Sequence, residues 1–128
     1  MLSDFPEYYP EQCPPCDAKD IEGIVFRFTV RNTPHQRDFI SFYELSPNKD
    51  WGIDACQAMG LSVFPTIEAC EEMKRKIPAL NKKKIASANL NNNYGKFANT
   101  PSTNSKRHMT WWVSCNLSEP WNLFSNVG

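Results

Sequence analysis

Several side chains in this sequence are of types that do chemistry. Arg27 sits midway along Gly23-Ile24-Val25-Phe26-Arg27-Phe28-Thr29-Val30, Glu44 follows the next apolar cluster, and His108 opens the run His108 to Cys115. Brought into one cleft, Arg27 would hold a phosphate, Glu44 would supply a carboxylate and His108 would act as acid–base. Successive strand residues point to opposite faces, so His108, Thr110 and Trp112 share one face of the late strand, opposite Met109, Trp111, Val113 and Cys115. One tryptophan can fill the core. An exposed Trp112 beside Thr110 would be a stacking platform for a base, a ring or a protein partner. Cover by the chain's aromatic ends is the plainer alternative.

Cys13-Pro14-Pro15-Cys16 has the spacing of half a zinc site, because two thiolates two residues apart can reach one tetrahedral ion. The remaining ligands would have to come from His35, His108, Cys56, Cys70 or Cys115. The pair could also be a redox dithiol or chemically inert. The five cysteines are an odd number. The N-terminus is acidic and proline-broken, without the basic start and apolar run of a secretory signal. These features predict a cytoplasmic, reducing setting with no disulfide framework and with Cys56, Cys70 and Cys115 as small buried hydrophobes.

Lys82-Lys83-Lys84 follows Lys74-Arg75-Lys76 closely, and Lys83 and Lys84 are candidate phosphate contacts. A solvated helix end explains the same charges. Lys+Arg and Asp+Glu are 14 each, so there is no global basic field for nucleic acid. The sequence holds no phosphate-binding glycine loop, nucleophile elbow, HExxH, EF-hand or kinase pattern. No stretch approaches the ~20 apolar residues that span a bilayer.

An arginine on an early strand, a polar-aromatic middle and a late acid resemble the small ADP-ribosyltransferase-like folds. The resemblance implies that Arg27 holds the ribose or phosphate of NAD and that a glutamate orients the nicotinamide ribose. In this chain the late strand carries His108 where the family has a glutamate, and Glu119 comes only afterwards.

The elements that must position these residues follow from local pattern. Residues 1–20 hold four of the ten prolines and read as an extended arm, with 21–128 as the domain. Residues 23–30 are β-branched and aromatic, with Ile24, Phe26, Phe28 and Val30 expected to face the core and Arg27 the other side. Thr33-Pro34 caps a short helix, and Asp54 to Met59 forms one or two turns stopped by Gly60. Thr66 caps the strongest helix, 66–77, with Ile67, Cys70, Met73 and Ile77 on one face and Pro78 closing it. Residues 85–90 and 96–99 are strand candidates around the Asn91-Asn92-Asn93-Tyr94-Gly95 turn.

At 128 residues, 41% hydrophobic and 12% aromatic, the chain holds one core. The predicted fold is a single α+β domain, with one small antiparallel sheet (23–30, 85–90, 96–99, 108–115) packed on one main helix. Three functions fit. The first is a small cytoplasmic binding protein meeting a protein partner through an aromatic face. The second is a small nucleotide- or NAD-using enzyme with Arg27, Glu44 and His108 in one cleft. The third is a zinc-stabilised module on Cys13 and Cys16.

Overall fold

The computed structural model describes residues 4–127; Met1–Ser3, the start of the expected arm, and Gly128 lie outside the described residues. The described residues form two antiparallel sheets, not the single sheet expected. In chain order the strands are β1 (Lys19–Asp20), β2 (Gly23–Thr29), β3 (Leu61–Val63), β4 (Lys84–Leu90), β5 (Gly95–Asn99), β6 (Met109–Val113) and β7 (Ser125–Asn126). One sheet has the order β1-β5-β6-β3 and the other β2-β4-β7. The expected strand set is therefore split between β4 and β5. The polypeptide leaves β4, makes a short 3-10 turn at Asn92–Tyr94 and enters β5 through Gly95 at φ 129°. Glycine is required there twice over: that φ strains any L side chain, and a Cβ would collide with the Trp112 carbonyl. The sheets touch through a bridge in which the backbones of Phe26 and Phe64 exchange N–H···O bonds of 2.8 Å.

Among the described residues three α-helices accompany the sheets: α1 (Phe42–Leu45), α2 (Ala55–Met59) and α3 (Ile67–Lys76). The Thr66 hydroxyl caps α3 by accepting from the Ala69 amide at 3.2 Å. Ala69 and Cys70 are buried against Phe64 and Ile85, with Phe26, Phe28, Ile67 and Met73 packed around them. The segment near Thr33 starts two residues later than expected. His35 caps a 3-10 turn over Gln36–Phe39, and the Ser41–Glu44 capping box starts α1 separately.

The expected core face of β2 holds at Phe26 and Phe28, which pack on the smaller core cluster, but not at Ile24 and Val30, and the opposite face is buried as well. Val25 and Thr29 are buried while Ile24 and Val30 are more than half exposed. Both faces of β2 carry apolar residues, so alternation could not choose between them. The larger core cluster, with Ile21, Leu61, Val63, Trp111 and Phe124, claims the Val25 side, and α3 covers Phe26 and Phe28 on the other. Arg27 is thereby drawn inward. No helix among the described residues is long and apolar enough to cross a membrane.

The cysteines differ most from expectation. Cys13 is joined to Cys56 in a disulfide across 43 residues, tying the proline-rich segment to α2. A sulfur in a disulfide cannot ligate a metal, which removes the Cys13–Cys16 zinc site, and Cys16 is left an exposed thiol. Among the described residues no group of three or more His, Cys, Asp or Glu is arranged to hold a metal ion.

Candidate functional site

Ser62 is the middle residue of β3. The register places it opposite Thr110, so His108 lies diagonally across the same face. His108 Nε2 is 2.8 Å from Ser62 Oγ. On the far side of the ring, Nδ1 lies 2.9 Å from the Thr100 carbonyl oxygen and 2.9 Å from Thr100 Oγ1. A carbonyl only accepts, so Nδ1 carries the proton and Nε2 presents its lone pair to the Ser62 hydroxyl. Thr100 is itself fixed: its amide donates to the His108 carbonyl, and its hydroxyl bonds Thr110 Oγ1 at 2.8 Å. The edge of Phe64 packs on the imidazole at 5.6 Å. Burial pushes the His108 pKa below its usual value, with the Thr100 backbone bond opposing, so the ring is neutral at neutral pH.

Arg27 approaches Ser62 from the other sheet. Its Nη1 donates to the Ser62 carbonyl at 2.6 Å, and Nε and Nη2 donate to the Asp38 carbonyl at 3.1 and 2.8 Å. The guanidinium also lies over the Phe39 ring at 5.3 Å. These bonds use three of its five N–H donors, one of the two on each Nη among them. The Asp38 carboxylate is engaged elsewhere, accepting from the Val30 and His35 amides. Burial lowers the Arg27 pKa to about 10, with Asp38 opposing, and Arg27 remains a cation at neutral pH.

Two cavities meet at this point. One, of about 550 Å³, is lined by Arg27, Phe28, Met73, Ile77, Leu80 and Lys83 among others. Another, of about 430 Å³, has Lys49, Asp50, Trp51 and Asp54 in its wall. Both share Phe42, Gln57, Gly60, Leu61, Ser62 and His108. Gly60 lets the end of α2 pack directly on β6, since a Cβ there would strike the Thr110 methyl. Volumes of this size suit small molecules.

Of the residues singled out from sequence, Arg27, His108 and Lys83 line the larger cavity together. Thr110 borders the smaller one but is buried and hydrogen-bonded to Thr100. Glu44 is elsewhere. Its carboxylate accepts from the Ser41 amide, and it borders a third cavity with Tyr8 and Tyr9. Lys84 is exposed at the start of β4 and lines none of these three cavities. Trp112 is 1% exposed, so it is no open platform. Its indole N–H donates to the Cys56 carbonyl at 2.8 Å, and α2 supplies its cover. Strands β2 and β6 lie in different sheets, so Arg27 and His108 meet through Ser62 and not through strand neighbourhood.

Ser62 is the residue sequence reasoning passed over. Its signal was faint: one serine between apolar residues in a three-residue strand just before a proline and a helix. Comparison with known protein families, curated proteins and solved structures finds no match to this chain.

Proposed function

We propose that the protein is a small enzyme of nucleophilic group transfer, working at the boundary of the two cavities. Ser62 is the nucleophile and His108 its general base. Arg27 provides positive charge for an anionic group or for charge developing in the transition state. One observation carries this reading: a neutral imidazole, oriented through Nδ1 by the Thr100 carbonyl, with Nε2 at 2.8 Å from a hydroxyl bordering open cavities. A nucleophile, a base within hydrogen-bond reach and a third group orienting the base are the parts such catalysis needs. The reading keeps Arg27 and His108 from the enzyme expectation and replaces Glu44 and Trp112 with Ser62. A phosphate-bearing substrate, nucleotide or NAD included, would pair with the Arg27 cation.

The test is covalent labelling. A fluorophosphonate probe is expected to modify the peptide containing Ser62, and His108→Gln is expected to slow labelling by about a hundredfold or more while the protein stays folded. Labelling confined to other residues, or none, removes the assignment.

Docking of a protein partner is supported by a separate observation: Phe42, Leu45 and Ile53 are strongly exposed apolar residues near the cleft. Phe42→Ala with Leu45→Ala is expected to abolish partner capture without changing melting. The Cys13–Cys56 bond persists in oxidising surroundings, and a reducing cytosol would hold it as two thiols.

A further inference from the structure

The two cavities differ in chemistry on either side of the Ser62–His108 pair. The larger is walled by Phe28, Phe64, Met73, Ile77 and Leu80, and its polar groups include Arg27 and Lys83. The smaller is walled by Lys49, Asp50, Trp51 and Asp54. Lys49 Nζ already rests over the Trp51 ring at 4.2 Å. An apolar chamber favours a hydrocarbon group, whereas a phosphoryl group needs many donors around its oxygens. A polar, open chamber suits a group that leaves into water.

Resting on the reading of Ser62 as nucleophile, we propose that the substrate is an ester of an apolar carboxylic acid, with its acyl group in the Arg27 chamber and its alcohol in the Trp51 chamber. Ser62 Oγ bonds the carbonyl carbon as its proton passes to His108 Nε2. The ester C–O bond breaks, and the same proton passes from Nε2 to the departing alcohol oxygen. Water then attacks the acyl-serine, giving one proton to Nε2. The bond from the acyl carbon to Ser62 Oγ then breaks, Oγ takes that proton from Nε2, and the acid departs. Arg27, already bound to the Ser62 carbonyl, supplies positive charge beside the oxyanion.

The experiment compares p-nitrophenyl acetate, p-nitrophenyl octanoate and p-nitrophenyl phosphate on the full chain, beside fluorophosphonate labelling of Ser62. Octanoate is expected to exceed acetate in kcat/KM by about tenfold or more, from burial of the added methylenes. That turnover should vanish in Ser62→Ala. Leu80→Trp, which fills the apolar chamber at a half-buried position, should erase the octanoate preference, bringing octanoate turnover down to the acetate level or below. Equal rates on both esters, a preference unchanged in Leu80→Trp, or preferential cleavage of the phosphate would overturn the acyl assignment while labelled Ser62 stands. Absent labelling with absent turnover overturns both.

Discussion

Opening the Cys13–Cys56 bond is the perturbation with the clearest consequence. The two residues are 43 apart in sequence, and cross-linking a loop of that length removes about 4 kcal/mol of unfolded-state entropy on the chain-closure account. The bond also fastens α2, whose Cys56 carbonyl receives the Trp112 indole proton and whose Gln57 and Ala58 border the cleft. The double variant Cys13→Ser/Cys56→Ser is therefore expected to melt more than about 10 °C below the parent, at about 3–5 °C per kcal/mol for a chain of this size. Reductant should lower the parent's melting temperature similarly and leave the variant's unchanged. Alkylation of denatured, unreduced protein should add three groups, one each on Cys16, Cys70 and Cys115. Five adducts on a preparation that melts as the parent does, with no response to reductant, would refute the reasoning, because the arm would then be held without the bond.

Gly95→Ala places a methyl against the Trp112 carbonyl at a positive φ and should cost more than about 1 kcal/mol, read as a lowered denaturant midpoint with unchanged slope. Trp112→Phe loses the indole bond to Cys56 and some volume, and about 2 kcal/mol of destabilisation is expected in the same assay. Because burial lowers the folded-state pKa of His108, the unfolded chain binds its proton more readily. The stability from neutral His108 is complete above about pH 6.5 and is lost as pH falls through the lowered folded value. Urea titrations across this range should show that loss, and His108→Gln should flatten it. Burial raises the Cys70 thiol to about 12, so in folded protein at pH 8 alkylation should reach exposed Cys16 and Cys115 and spare Cys70.

The strands were legible where their pattern is local. Val25 to Thr29 and Met109 to Val113 are β-branched and aromatic enough to declare themselves, and Gly60 and Thr66 punctuate the helices around them. What a strand faces is decided elsewhere. Residues on either side of β2 are apolar, and only the placement of α3 and of the larger core determined that Val25, Arg27 and Thr29 turn inward. Both tryptophans of β6 are buried for a similar reason: one meets Phe124, and the other meets a helix anchored by a disulfide that the odd thiol count argued against.

The candidate site is the extreme case, because nothing local marks it. Ser62 and His108 are separated by 46 residues and meet through the pairing of β3 with β6, while Arg27 arrives from the second sheet. Each contribution is ordinary alone: a serine in a short strand, a histidine at a strand start, an arginine bonded to carbonyls. Their combination depends on one register. Shifting β3 by a single residue against β6 would turn Ser62 to the opposite face and put Leu61 and Val63 on the imidazole's face. The core resists that slip, because Leu61 and Val63 are nearly fully buried beside Trp111 and Met109. The packing that holds this edge of the sheet together is thus also what delivers the hydroxyl to the histidine. A core substitution such as Val63→Ala should therefore loosen the Ser62–His108 pair along with the fold.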